Sequence, residues 1–171
     1  DAGIDPTGRD LVIASPLMGI YRVPIEGGAA RKIVDLAGRR LALALHDGCL
    51  AVQGPPGSGK TFVGARMIVE LVKQGKRVGI CATAHKAITN LVDEVCVAAA
   101  EAKVRVSIAQ RCGDGDGSTK AEVERASNED IESGLAEGRF QVAAGTQWLF
   151  AREGMAGRVD VLFVDEAGQM S

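Results

Sequence analysis

The chain has 171 residues, of which 46% are hydrophobic and 25% are charged, with 20 basic and 22 acidic side chains. This length corresponds to one domain, and this apolar fraction supplies a hydrophobic core, so the composition excludes a chain that is disordered throughout. The net charge of −2 argues against a protein that binds nucleic acid through a uniformly basic surface.

Composition also indicates the cellular setting. The longest apolar runs fall short of the roughly 18 residues that span a bilayer. Asp1–Asp10 lacks the basic and apolar regions of a signal peptide. Cys49, Cys81, Cys96 and Cys112 are far apart and form no C-x-x-C pair, which favours reduced core thiols over a disulfide scaffold or a zinc site. We therefore expect a cytoplasmic protein without a membrane partner.

Charge is distributed unevenly along the chain. Residues 59–111 carry nine basic and four acidic side chains, whereas residues 112–140 carry three basic and eight acidic ones. The basic segment is suited to facing phosphate groups, and the alternative is a solvated helix surface of mixed charge.

Hydrophobic periodicity predicts the secondary structure in chain order. Residues 9–28 have the pattern of two strands with a turn at Pro16, and residues 1–28 are a candidate accessory module or linker. The domain proper is expected over 29–171. In it we predict helices over 29–46, 60–74, 85–100 and 119–137, and strands over 49–53, 76–82, 103–108, 140–144 and 159–164. Strands that alternate with helices indicate an α/β fold, a mostly parallel sheet with helices on both faces.

A Gly/Asp-rich segment, R-C-G-D-G-D-G-S at 111–118, is predicted to be a flexible loop. Alternating Asp and Gly residues also suggest a calcium site. However, the segment lacks the spacing of an EF-hand and its distal Glu.

The segment G-P-P-G-S-G-K-T at 54–61 matches the phosphate-binding loop G-x-x-x-x-G-K-[ST] in full, between a predicted strand and a predicted helix. Its glycines let backbone amides point at a polyphosphate at the helix N-terminus. Lys60 is suited to neutralising the β- and γ-phosphates, and the Thr61 hydroxyl to binding Mg²⁺. The alternative is a chance glycine turn. The predicted nucleotide-binding residues are Gly54, Pro55, Gly57, Ser58, Gly59, Lys60 and Thr61.

A pair of acids, Asp165 and Glu166, follows the apolar segment 159–164. In a parallel sheet this position is the crevice where ligands bind. Asp165 is suited to holding Mg²⁺, and Glu166 to orienting and deprotonating an attacking water. Together with the upstream loop, the pair favours ATP hydrolysis with Lys60 and Glu166 as catalytic residues. A small-molecule kinase and a non-hydrolysing nucleotide-dependent scaffold are the alternatives.

Four strings occur in the order of motifs I, Ia, Ic and II of superfamily 1 helicases, which the chain resembles over about residues 40–171. They are Q-G-P-P-G-S-G-K-T (53–61), A-T-A-H-K-A-I-T-N-L (82–91), A-G-T-Q-W-L-F-A-R (144–152) and V-D-E-A-G-Q (164–169). The D-E-A-x-Q form resembles the branch with the nonsense-decay and Okazaki-fragment helicases. The A-H-K-A-I and W-L-F-A-R strings look still closer to bacterial helicases fused to a RecB-like nuclease.

The resemblance implies a RecA-like P-loop NTPase that uses ATP and Mg²⁺ and binds single-stranded DNA or RNA. It implies that Gln169 connects the nucleotide state to the rest of the site. It also implies that Thr83, His85 and Lys86 of motif Ia, and Gly145 and Thr146 of motif Ic, contact the backbone of the single strand. The sequence stops two residues after Gln169, so we expect a first motor domain truncated after motif II. A second RecA-like domain, and by resemblance a fused nuclease domain, would be its partners.

Several of these residues have structural alternatives. His85 is equally suited to capping the predicted helix that it begins. Lys86 at a helix start is unfavourable for the helix dipole, which indicates an anionic partner. Trp148 and Phe150 are suited to stacking on a base, but on a short apolar segment we expect them to pack in the core.

Overall fold

A computed structural model of the chain describes residues 2–4, 10–15, 19–24, 31–34, 52, 57–113 and 115–169. The chain divides into two compact units, Asp1–Met67 and Ile68–Ser171. No helix in the described part of the chain is both long and apolar enough to cross a membrane.

The first unit contains an antiparallel sheet of four strands in sequential order. The strands are β1 (Ala2–Ile4), β2 (Asp10–Ser15), β3 (Gly19–Pro24) and β4 (Arg31–Val34). β2 and β3 confirm the two strands predicted within residues 9–28, whereas the Pro16 turn lies outside the described residues.

The predicted helix over 29–46 is wrong at β4, which pairs antiparallel with β3. Ile33 and Val34 are β-branched and favour an extended backbone, and strand pairing overrides the helical spacing of the apolar residues. Residues 35–46 lie outside the described part of the chain, and so does the predicted strand over 49–53 apart from Val52.

The second unit contains a parallel sheet of five strands in the order β7-β6-β8-β5-β9. The strands are β5 (Val78–Cys81), β6 (Ile108–Gln110), β7 (Val123–Arg125), β8 (Val142–Gly145) and β9 (Val161–Val164). The helices among the described residues are α1 (Lys60–Lys73), α2 (His85–Ala102), α3 (Asn128–Ala136) and α4 (Gln147–Phe150), with 3₁₀ turns at Glu153–Met155 and Ala167–Gln169.

Helices cover both faces of this sheet. α2 lies on the face of Gln110, whose side chain is hydrogen bonded to Thr89 of α2. α3 and α4 lie on the opposite face, where their Ile131 and Leu149 form one hydrophobic cluster with Ala143 of β8. All four residues of β8 are buried, as expected for a strand covered on both sides. The predicted α/β class is therefore confirmed, and the architecture is consistent with a RecA-like P-loop domain.

Two element boundaries differ from the prediction. The strand expected over 103–108 begins only at Ile108, because Lys103 adopts a left-handed conformation and the Val104 amide closes α2 by donating to the Ala99 carbonyl. The helix expected over 119–137 is wrong at β7, which pairs with β6, and begins only at Asn128, where the Ser127 hydroxyl accepts a hydrogen bond from the backbone N–H of Asp130.

Candidate nucleotide and nucleic-acid site

The described part of the phosphate loop has the backbone of an anion-binding turn. Gly57 and Gly59 have φ angles of 78° and 82°, in the left-handed region that glycine adopts without steric cost. The Gly59 carbonyl accepts the first hydrogen bond of α1, from the Val63 amide at 3.0 Å. The loop therefore leads directly into a helix N-terminus, where unpaired amides and the helix dipole favour a phosphate group.

Side chains at this turn fit the predicted nucleotide contacts. The Ser58 hydroxyl oxygen is buried and has no hydrogen-bond partner among the described residues. Such an atom is costly unless a ligand or solvent satisfies it, so a bound phosphate suits it. Lys60 and Thr61 are half-buried in the first turn of α1. Gly54 and Pro55 lie outside the described residues.

The remaining candidate residues follow the carboxyl ends of four strands. Since the strands are parallel, these ends lie along one edge of the sheet, in the order β6, β8, β5, β9. Neighbouring strands are about 4.8 Å apart. The order of the residues that follow them is therefore Arg111, Thr146, Thr83 and Asp165. In open α/β sheets this edge is where ligands bind.

At the end of β5, the chain passes through Thr83 and Ala84 into α2. His85 does not cap this helix, because Ala84 is the N-cap residue and makes no side-chain capping bond. The Nδ1 atom of His85 is buried without a hydrogen-bond partner in the described part of the chain. The side chain of Lys86 is exposed. These three side chains can donate hydrogen bonds to phosphate oxygens. They are the half-buried Thr83, the His85 imidazole with its unpaired nitrogen, and the exposed Lys86.

At the end of β8, Gly145 makes close contacts that need a glycine. A Cβ atom at this position would lie 2.7 Å from Leu149 Cδ2 and 3.4 Å from Arg111 Cβ. Gly145 therefore lets α4 and Arg111 approach the end of β8. Thr146 follows as the half-buried N-cap residue of α4.

At the end of β9, the acid pair has an unusual backbone. The Asp165 amide donates to the Cys81 carbonyl at 2.8 Å, which extends the pairing of β5 and β9 by one residue. Glu166 has a φ angle of 54°, and its amide donates to Asp165 Oδ1 at 2.9 Å. A non-glycine residue in the left-handed region is uncommon and is characteristic of functional sites. Gln169 ends the 3₁₀ turn that follows.

The Gly/Asp-rich loop is fixed at several points, which differs from the flexible loop that we predicted. Gln110 is fully buried at the end of β6, donates to Thr89 Oγ1 at 2.9 Å and accepts a hydrogen bond from the Ser118 amide at 2.9 Å. Thr89 in turn donates to the Asp116 carbonyl, and Ser118 to Asp93. Sequence reasoning missed Gln110, whose only signal was a polar residue at the end of an apolar strand.

Within the described residues, no group of three or more His, Cys, Asp or Glu side chains is arranged to hold a metal ion. Cys81, Cys96 and Cys112 are free, as predicted, and Cys49 lies outside the described part of the chain. Burial raises the pKa of the Cys81 thiol. Burial, with Glu122 and Asp93 nearby, raises the pKa of Cys96 to about 11, so this thiol is a poor nucleophile near neutral pH.

Trp148 contradicts the prediction that it packs in the core, since 76% of the residue is exposed. Phe150 behaves as predicted, because its ring packs against the core cluster and over Gly79. The short helix α4 turns Leu149 and Phe150 towards the sheet, and this leaves Trp148 on the outside.

A family model described as an AAA domain matches residues 38–147. The chain belongs to this family. The matched segment spans roughly two thirds of the chain and runs from before the phosphate loop to the start of α4. Membership of this AAA domain family identifies a P-loop ATPase domain of helicase type. The acid pair at Asp165 and Glu166 lies beyond the matched segment. A search of curated proteins finds no match.

Proposed function

We propose that the chain is an ATP-dependent motor domain of a helicase or translocase that acts on single-stranded nucleic acid. The observation that carries this proposal is the phosphate loop of an AAA domain, with two left-handed glycines at a helix start and a buried, unpaired Ser58 hydroxyl. Assignment to superfamily 1, near helicases fused to a nuclease, is supported only by the four motifs.

In this proposal, Lys60 neutralises the terminal phosphates, and Thr61 and Asp165 hold Mg²⁺. Bound Mg²⁺ would supply positive charge that stabilises the transferring phosphoryl group. Glu166 orients a water molecule and accepts its proton. Its left-handed backbone fixes the direction from which the carboxylate leaves the end of β9.

The single strand would lie along the carboxyl edge of the sheet. The carboxyl ends of two neighbouring strands, β5 and β8, carry donors there that are suited to phosphate oxygens. The residues are Thr83, His85, Lys86, Gly145 and Thr146. In an intact motor, ATP binding and hydrolysis would close and open a cleft against a second RecA-like domain and so move the strand.

The test is Mg²⁺-dependent binding of a fluorescent ATP analogue to the purified chain. Lys60→Ala should reduce the affinity at least tenfold, because the mutation removes the cation that faces the phosphates. The matched control is Lys76→Ala, since Lys76 is exposed in the turn before β5. Equal affinities of the wild type and Lys60→Ala would refute the nucleotide site.

A further inference from the structure

Trp148 is the only tryptophan in the sequence and is 76% exposed. An indole exposed to this degree offers a flat apolar surface on which a partner group can stack. Trp148 lies two residues after Thr146, at the carboxyl edge of the sheet. The exposure is confined to Trp148 among the apolar residues of α4, because Leu149 is buried and Phe150 is half-buried.

Arg111 lies near the helix that carries Trp148. Arg111 is exposed, and its amide donates to the Ala144 carbonyl at 2.8 Å, so Arg111 lies beside the end of β8. Gly145 is contacted by Leu149 of α4 and by the Cβ of Arg111. A single glycine therefore brings the helix of Trp148 and the arginine to the same place.

The described part of the Gly/Asp-rich loop is held by α2 through backbone and hydroxyl groups. The Asp116 carbonyl accepts a hydrogen bond from Thr89 of α2, and Ser118 donates to Asp93 of the same helix. α2 covers the face opposite to α4. Arg111 lies on the α4 side of the sheet, where its guanidinium donates to the Cys112 carbonyl at 2.9 Å and supplies positive charge for a polyanion.

We propose that Trp148 is a base-stacking residue of the single-strand site and that Arg111 contacts the adjacent phosphate. An indole provides a flat apolar surface for any base, and an arginine beside it neutralises the backbone charge of the same nucleotide. This proposal adds a base contact within motif Ic, which contains Trp148, and a phosphate contact at Arg111, outside the four motifs, and it rests on the proposed function. Its occupant is a single-stranded polynucleotide, whether DNA or RNA.

The experiment uses the tryptophan itself as the probe. The purified chain is titrated with oligothymidylate and, separately, with oligouridylate, with excitation selective for tryptophan. Stacking should quench the tryptophan emission as the oligonucleotide binds. The quenching should saturate at the same concentration as the anisotropy of a dye-labelled oligonucleotide. The two oligonucleotides compare a DNA strand with an RNA strand.

Variants measure the contribution of the ring. Trp148→Ala should weaken binding about 5- to 100-fold, and Trp148→Phe should restore most of the loss, because base stacking is lost with the ring and regained with another aromatic. The matched control is an abasic oligonucleotide of equal length, which keeps the phosphates. Wild type and Trp148→Ala should bind the abasic strand equally. Circular dichroism checks that the variants fold.

The outcomes separate the two proposals. Salt-sensitive binding without quenching, together with an unchanged affinity of Trp148→Ala, would overturn the stacking role and leave the nucleic-acid site intact. Failure of the wild type to bind either oligonucleotide would overturn both. Emission that is already shielded from a soluble quencher in the free protein would show that Trp148 is covered by protein and would overturn the stacking role alone.

Discussion

Glu166 combines a predicted catalytic carboxylate with a backbone conformation that a glutamate rarely adopts. Its φ angle of 54° brings the Cβ atom close to its own backbone, which costs roughly 1–2 kcal/mol per residue. A glycine avoids this cost. The carboxylate is therefore placed at the expense of local stability, as in other functional sites.

This strain predicts the order of stability of two variants that both lack the carboxylate. Glu166→Gly should be more stable than Glu166→Ala by about 1 kcal/mol, because only glycine relieves the left-handed conformation. The free energy of unfolding from urea denaturation measures the difference. The control pair is Glu153→Gly and Glu153→Ala, at an exposed residue in a right-handed 3₁₀ turn, where glycine should be the less stable. If the alanine variant were the more stable one at both positions, the backbone strain at Glu166 would be contradicted.

The conformation or exposure of a residue could be predicted from the sequence where its immediate neighbours in the chain decide it. The loop glycines were expected to let the backbone wrap a polyphosphate, and the left-handed backbone of Gly57 and Gly59 fits that expectation. Trp148 was predicted wrongly, because its exposure depends on which side of a four-residue helix faces the sheet. That orientation is set by Gly145 and Gly79, which admit Leu149 and Phe150 closely.

At the scale of elements, the amino ends of β5 and β9 are joined by one carboxylate. Asp160 accepts a hydrogen bond from the Arg77 amide at 2.7 Å and forms an ion pair with the Arg77 guanidinium at 3.4 Å. The hydrogen bond from the Arg77 backbone, and then its guanidinium, hold the pKa of Asp160 below its usual value. The charged carboxylate therefore stabilises the pairing of the two strands.

Asp160→Ala should lower the free energy of unfolding by about 1–2 kcal/mol at neutral pH, since it removes hydrogen bonds to a charged group. Because the pKa is lower in the folded state, this stabilisation is present above the unfolded pKa of about 3.9 and is lost as the pH falls through the folded pKa. Urea denaturation of both proteins across this range measures the effect. A difference that stays constant down to about pH 3 would contradict this origin.

Helices were predicted well where the hydrophobic pattern is long and where the sequence marks both ends of the helix. α1 and α2 extend over 14 and 18 residues, within two residues of the predicted limits. Short strands were harder to predict, because β4 and β7 have only four and three residues and form by pairing with the preceding strands, β3 and β6. Helical spacing of apolar residues in these segments does not contain that information.

At the scale of the whole molecule, sequence predicted the fold class because the alternation of strands and helices leaves few architectures. The order of the strands in the sheet could not be predicted from the sequence, since β8 lies between β6 and β5 only in the folded sheet. That order brings Arg111 beside Thr146, although the two residues are far apart in the chain. A contact of this kind has no local signature in the sequence.

The proposed binding of a polyanion to a protein with a net charge of −2 requires a local basic surface. The carboxyl edge offers Arg111, whereas Arg105 precedes β6 and lies towards the opposite edge, so the two arginines are a matched pair. Each phosphate contact adds roughly 0.7 to the slope of log affinity against log salt for a single strand. Arg111→Ala should therefore reduce the slope by about 0.7, and Arg105→Ala should leave it unchanged. Salt titrations with oligothymidylate measure both slopes, and equal effects of the two substitutions would place the polyanion elsewhere.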